Sequence, residues 1–165
     1  MTRTAPVLIL LKVFLVALFA FLLVLQVMSL PGMFSYRAEQ APELAHIAWL
    51  MLALSELEVL CLQVVVVCTW RLLSLVRGDQ IFSPVSLAWV DVIVWAFAVG
   101  WAALAGVAAY LTAYIYFTPE LRDPGVPLTL FGLVLVGAVF VLLVVILRTL
   151  LRQATVLRSD LDEVI

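Results

Sequence analysis

Four long apolar segments, separated by short connectors, constrain the fold of this chain more than any other feature of the sequence. The hydrocarbon core of a bilayer is roughly 30 Å thick and an α-helix rises roughly 1.5 Å per residue, so about 20 apolar residues cross it once. Each segment is long enough for one crossing. The sequence therefore predicts an all-α, polytopic membrane protein, a four-transmembrane-helix bundle formed by one integral membrane domain, residues 1–165. We predict helices at about 7–30, 45–70, 85–117 and 128–147.

The composition excludes a soluble protein. Of the 165 residues, 67% are hydrophobic and 12% are charged, whereas an ordinary soluble domain is roughly 45–50% apolar and roughly 25% charged. The four crossings leave no length for a catalytic domain outside the membrane. The formal net charge of -2 gives no basic excess for phosphate contacts, so we expect contact with the lipid bilayer and no direct binding of nucleic acid.

The basic residues are distributed unevenly along the chain, and this predicts the orientation. Cytoplasmic segments of membrane proteins carry the excess of Lys and Arg. Seven basic residues lie in the N-terminal part, the second connector and the C-terminal tail, and two lie in the other connectors. We therefore predict cytoplasmic N- and C-termini and a multi-pass protein of the cell (cytoplasmic) membrane. The seven are Arg3, Lys12, Arg71, Arg77, Arg148, Arg152 and Arg158, and the two are Arg37 and Arg122.

Three acidic residues lie within the apolar segments, where a charge is unfavourable. Glu56 and Glu58 fall in the second segment and Asp91 in the third. An acid at the centre of a membrane helix costs about 2.5–3.5 kcal/mol on insertion scales, so each should face protein or water. Glu56 and Glu58 lie on opposite helix faces and do not form the paired carboxylates of a hydrolase. Gln63 shares the face of Glu56, so this helix should lie inside the bundle or at a contact between subunits.

Asp91 begins a stripe of mostly small residues on the third helix. Small residues let membrane helices approach closely, so this stripe predicts a packed face with Asp91 directed into the bundle. Arg71 and Arg148 are its candidate ion-pair partners at the cytoplasmic side. Three roles stay open for the acids: a neutral or paired carboxyl that locks helices together, an ion or proton pathway, and binding or sensing of a ligand. The stripe consists of Trp95, Ala98, Ala102, Ala105, Ala109 and Thr112.

The cysteines and the single histidine limit the chemistry. Cys61 and Cys68 are two helical turns apart, roughly 10.5 Å along one axis, whereas the Cα atoms of a disulfide lie within about 7 Å. His46 is the only histidine, so one chain cannot supply a histidine-based metal cluster or a bis-histidine haem site. The sequence shows no nucleophile beside a base and no phosphate-binding loop. We expect no enzymatic activity, no catalytic residues, no metal and no cofactor.

A helical overhang at about 148–160 follows the fourth apolar segment. Its apolar residues recur at gaps of four, three and four, with Arg148 and Arg152 off the stripe, which is typical of an amphipathic helix. Two interpretations fit. The overhang packs on the connector between the second and third helices, or it forms a docking surface for a soluble partner. The stripe consists of Leu150, Ala154, Leu157 and Leu161.

Three short motifs carry a resemblance to a known family. They are Arg71-Leu-Leu-Ser-Leu-Val-Arg-Gly-Asp-Gln-Ile-Phe-Ser-Pro before the third helix, Asp123-Pro-Gly-Val before the fourth, and Leu150-Leu-Arg-Gln-Ala in the overhang. With them the chain resembles the bacterial membrane family called domain of unknown function 2975 (DUF2975). The family's common ending, similar to Glu-Asn-Asp-Leu-Thr-Val, is replaced here by Ser159-Asp-Leu-Asp-Glu-Val-Ile, which lacks the threonine.

The resemblance implies a small four-helix membrane protein with no established activity and no catalytic residues to carry over. It also implies a partner, since genes of this family often stand beside one for a small helix-turn-helix regulator. One hypothesis is therefore a non-enzymatic regulatory or sensory membrane protein that presents its cytoplasmic tail to such a regulator. The alternative is a small ion-coupled transporter with Glu56 as the membrane carboxylate. This transporter is expected to be a homo-oligomer, specifically a homodimer.

The predicted orientation is tested by reporter fusions. Green fluorescent protein fused after Ile165 should fluoresce, because it stays in the cytoplasm, whereas alkaline phosphatase fused after Ala41 should be active, because it is exported. An inactive phosphatase at Ala41 that becomes active after Ile165 would reverse the orientation.

Overall fold

The computed structural model of the chain is helical throughout its described part. It describes the backbone of residues 4–77, 84–118 and 124–162 and the side chains of residues 6–75, 85–118 and 124–157. Four stretches are long and apolar enough to cross a membrane, and the protein is a multi-pass membrane protein. The helices are α1 (Thr4–Val24), a π-helical segment (Leu25–Ser29), α2 (Leu30–Gln40), α3 (Ala45–Arg77), α4 (Pro84–Phe117) and α5 (Gly125–Asp162).

The first crossing continues past the residue where we predict its end. Pro31 and Gly32 are expected to break the helix, but α2 includes both and extends to Gln40. A proline lacks an amide hydrogen and its ring clashes with the carbonyl four residues earlier. Here that carbonyl belongs to Val27, inside the π-helical segment. The wider π turn therefore accommodates the proline, and the chain reverses only at Ala41 and the short 3₁₀ turn Pro42–Leu44.

The other boundaries differ from the predicted ones mainly by extension. The second helix begins at Ala45 as expected and runs to Arg77 instead of about 70. The third runs from Pro84 to Phe117, close to the predicted 85–117. The fourth begins at Gly125 and continues without interruption through the predicted overhang to Asp162.

The helices pack in the order of the chain. The first crossing contacts α3, α3 contacts α4, and α4 contacts α5, and no other pair of described crossings packs extensively. The contact between the first crossing and α3 has a core with seven-residue spacing, which is typical of left-handed helix pairs. Leu15 and Leu22 on α1 meet Val59 and Val66 on α3.

Side-chain contacts place one end of every crossing at the same level. Lys12 Nζ of α1 donates a hydrogen bond to Ser74 Oγ at the end of α3, 3.1 Å away. Arg71 of α3 lies 5.8 Å from the ring of Trp89 near the beginning of α4. We call this the basic end. The beginning of α1 and the end of α5 both lie here, and which side of the membrane it faces stays a prediction.

The opposite end is aromatic. The rings of His46 on α3 and Tyr114 on α4 are 5.4 Å apart, and those of Tyr110 and Tyr114 are 6.4 Å apart. Tyrosines concentrate where a helix passes through the head groups. The two ends of the helix pairs therefore carry the side chains expected at two membrane interfaces.

The small-residue stripe of α4 packs only in part: Ala98, Ala105 and Thr112 are half-buried, and the other three residues are exposed. Trp95 is 71% exposed, and Ala102 and Ala109 are exposed as well. The three exposed residues lie about 180–220° around the helix from Gly100, where α4 meets α3. Alanine and glycine occur on several faces of α4, so composition alone did not reveal which face packs.

Gly100 and Gly137 provide close approach between helices. A Cβ at Gly137 on α5 would lie 2.8 Å from Trp101 Cδ1, and a Cβ at Gly100 would lie 3.0 Å from Glu58 Oε2. A Cβ at Gly106 or Gly132 would meet nothing within 4 Å. Gly100 and Gly137 therefore set the spacing on the two sides of α4.

This difference predicts opposite effects for two identical substitutions in α5. Gly137→Ala should destabilise the protein, because overpacking typically costs about 1–3 kcal/mol and the Trp101 ring is held by a hydrogen bond to Val134. Gly132→Ala should be neutral or stabilising, because alanine favours a helix over glycine by about 0.8–1.0 kcal/mol. Thermal unfolding in detergent measures both; equal unfolding temperatures would contradict the close packing at Gly137.

Candidate functional site

A cavity of about 150 Å³ lies between α3, α4 and α5, in the middle of the helices. Its walls are apolar and aromatic except at one position, where the Glu58 carboxyl lies. Cys61 lies one turn further along α3. The lining residues are Glu58, Cys61, Leu62, Ala96, Phe97, Gly100, Trp101, Leu104, Gly137, Phe140 and Val141.

Glu58 reaches this cavity because Gly100 has no side chain. Its Oε2 atom occupies the space where a Cβ of residue 100 would be. Its Oε1 atom is buried and has no hydrogen-bond partner in the described part of the protein. A buried acceptor left unpaired costs about 1–3 kcal/mol. This carboxyl therefore lacks the partner that a purely structural acid would have.

Two interactions hold the aromatic walls in place. Trp101 donates a hydrogen bond from Nε1 to the carbonyl of Val134 across the α4–α5 contact, at 3.0 Å. Phe97 and Phe140 pack edge to face with their ring centres 5.0 Å apart. Because both α4 rings are tied to α5, the cavity is a preformed feature of the helix packing.

Glu56 and Gln63, predicted to share a face, do not lie in this cavity. Gln63 is 8% exposed and donates a hydrogen bond to Gln26 Oε1 in the π-helical segment, at 2.9 Å. Glu56 is half-buried. Glu56 and Glu58 thus fall in different surroundings on one helix, as their spacing predicts.

Asp91 pairs with Arg148 at the basic end. Arg148 Nε donates to Asp91 Oδ1 at 2.5 Å, and the two side chains are 37% and 42% exposed. The other candidate partner, Arg71, contacts the ring of Trp89 instead. The ion pair therefore joins α4 to α5 at the level of the head groups.

The overhang of α5 keeps a regular burial pattern beyond this ion pair. The half-buried residues are Arg148, Leu151 and Thr155, at spacings of three and four. They mark the side of α5 that faces α4. Leu150 and Leu157 are 55% and 65% exposed, and they lie about 180–200° around the helix from Arg148. The apolar stripe thus points away from α4. The side chain of Leu161 and the connector at 78–83 lie outside the described part of the protein.

Sequence reasoning missed Gln26 and the glycine and tryptophan of the cavity. Gln26 was visible as a lone amide within a long apolar segment, and such groups seek partners on another helix. Trp101 and Gly100 carried no comparable signal, because many aromatic and small residues occupy α4. No group of three or more metal-ligating side chains lies among the described residues.

A comparison with family models decides the relationship of this chain. Residues 32–165 match the model of the family described as protein of unknown function (DUF2975). The chain belongs to this family. The resemblance in the connector and overhang motifs is thereby confirmed, and the matched region includes the cavity and the Asp91–Arg148 pair. No curated protein and no solved structure matches the chain.

The Asp91–Arg148 contact predicts energetic coupling between α4 and α5. Asp91→Asn and Arg148→Gln should each lower the unfolding temperature by a few degrees, because each leaves the other group without its partner. The unfolding temperature of the double variant should fall by less than the sum of the decreases in the two single variants. Thermal unfolding in detergent at low and high salt measures the cycle. Strict additivity would show that the two side chains do not interact.

Proposed function

We propose that the protein is a non-enzymatic regulatory membrane protein that presents the overhang of α5 to a soluble cytoplasmic partner. The observation that carries the proposal is the exposed apolar stripe beyond Arg148, with Leu150 and Leu157 turned away from α4. Leu150 and Leu157 alternate with Arg148 and Arg152 at the end of the fourth candidate span, Gly125–Leu157, and large exposed apolar side chains beside basic ones are typical of a binding surface. This favours docking over packing on the connector for the described part of the overhang.

The length of α5 supports this proposal. From Arg148 to Asp162 the helix continues for about 21 Å, whereas α4 extends only about 10 Å from Asp91 to its beginning at Pro84. The last turns of α5 therefore pass beyond the beginning of α4. A soluble protein that approaches this end meets the part of α5 that extends past the beginning of α4.

The shape of the surface indicates the kind of partner. A helix that exposes apolar residues every three to four positions is recognised by a groove between helices of the partner. Arg152 lies off the stripe and supplies a basic side chain at its rim, whereas Arg148 is paired with Asp91. A small helix-turn-helix regulator, the partner that the family resemblance implies, has the helical surface such a groove requires.

Ion-coupled transport by a homodimer with Glu56 as the carboxylate stays a prediction. The midspan cavity does not supply Glu56 with a substrate site, because the acid in that cavity is Glu58. No contact of the described residues distinguishes a monomer from a homo-oligomer. The overhang is therefore the feature on which we base the function.

Site-specific photo-crosslinking in living cells tests the docking surface. A photoreactive amino acid at Leu157 should give an adduct with a soluble protein, identified by mass spectrometry, because this residue faces the partner. The matched control is Leu142, which is also exposed on α5 but lies within the crossing and should react with lipid. Leu150→Glu should remove the adduct formed at Leu157. Identical adducts at both sites, or none at Leu157, would reject the proposal.

A further inference from the structure

We propose that the midspan cavity at Glu58 binds a small hydrophobic amine in its protonated form. This site is separate from the docking surface on α5, and the proposal does not depend on the proposed function. Its size, its walls, its single polar group and its opening each restrict the class of ligand.

The size and the walls select a small apolar body. A cavity of about 150 Å³ lined by apolar side chains is large enough for a benzene-sized molecule. Phe97, Trp101 and Phe140 supply aromatic walls, and rings of this kind also attract cations through their π-electrons. A molecule with one aromatic ring and a short chain matches this volume.

The Glu58 carboxyl selects a donor with a positive charge. Glu58 lines the cavity, and its buried Oε1 has no hydrogen-bond partner among the described residues. Glu58 forms no ion pair with the described basic residues; the nearest one along α3, Arg71, is about 20 Å away by helical rise. A protonated primary amine supplies both the N–H donor and the charge that the site lacks, whereas an alcohol supplies only the donor.

The opening of the cavity indicates the route of entry. Leu62 on α3 is 45% exposed and Phe140 on α5 is 49% exposed, and both line the cavity. These side chains belong to the middle of the crossings, so the opening faces hydrocarbon. A hydrophobic amine partitions into the bilayer and reaches such a site from the lipid, whereas a strongly hydrated inorganic ion does not.

The test uses the purified full chain in detergent with two probes of the same shape. 2-Phenylethylamine is protonated at neutral pH, and 2-phenylethanol is its neutral analogue. In a Cys68→Ala variant, Cys61 in the cavity wall reports occupancy through its rate of labelling by N-ethylmaleimide. The amine should halve this rate at a concentration at least tenfold lower than the alcohol does. Unfolding temperatures measured in parallel should rise with the amine at concentrations where the alcohol has no effect.

Two substitutions on α3 assign the effect to the cavity. Glu58→Gln keeps the size of the side chain and removes its charge, so the amine should lose its tenfold advantage over the alcohol. Glu56→Gln removes a charge from the same helix outside the cavity and should leave that advantage unchanged.

Equal protection by the amine and the alcohol, in a chain with Glu58 intact, would overturn the proposal and identify a nonspecific apolar cavity. The same conclusion follows if Glu58→Gln retains the preference for the amine. Should Glu58→Gln fail to fold, the comparison of the two probes on the chain with Glu58 intact decides alone.

Discussion

The fold depends on one constraint: inside a bilayer, polar groups must find their hydrogen-bond partners within the protein. The helices provide hydrogen-bond partners for the backbone groups, and the hydroxyl side chains also bond within their own helix. Ser55, Thr69 and Thr149 each donate to the carbonyl four residues earlier in their own helix. A hydroxyl is short enough to do this, and so it does not influence how the helices pair. The longer polar side chains have no such local solution, and they determine the contacts between helices.

Those contacts join neighbouring crossings unequally. Gln26 and Gln63 satisfy each other between the first crossing and α3. Trp101 with Val134, and Asp91 with Arg148, join α4 to α5 at two heights. In the middle of the contact between α3 and α4, Glu58 Oε1 stays unpaired among the described residues. A protein that satisfies its other helix contacts and leaves this one incomplete has a site there that an added molecule can complete.

The sequence predicts those features that depend on one helix and misses several that depend on two. Length and hydropathy were sufficient for four crossings and for the bounds of α4, predicted at about 85–117 and found at Pro84–Phe117. Pro31 gave a wrong end for the first helix. Whether a proline ends a helix depends on the space in the preceding turn, and the π-helical segment provides that space here. The stripe from Trp95 to Thr112 misled because small residues permit close packing without requiring it. Charge and height along the helices gave both Arg71 and Arg148 as candidate partners of Asp91, and the packing of α4 against α5 selects Arg148.

The depth of the charged side chains separates the basic end from Glu58. Lysine and arginine have long stems, so Lys12 reaches Ser74 and the Trp70 ring, 5.1 Å from its centre, while its charge stays near the head groups. Glutamate is shorter, and Glu58 lies about 20 Å along α3 from Arg71, too deep within hydrocarbon of roughly 30 Å for its carboxyl to reach either surface. The Glu58 side chain is too short to bring its carboxyl to water. Glu58 must therefore be neutral or be balanced by a positive group inside the protein, and the open wall of the cavity is the side from which such a group has access.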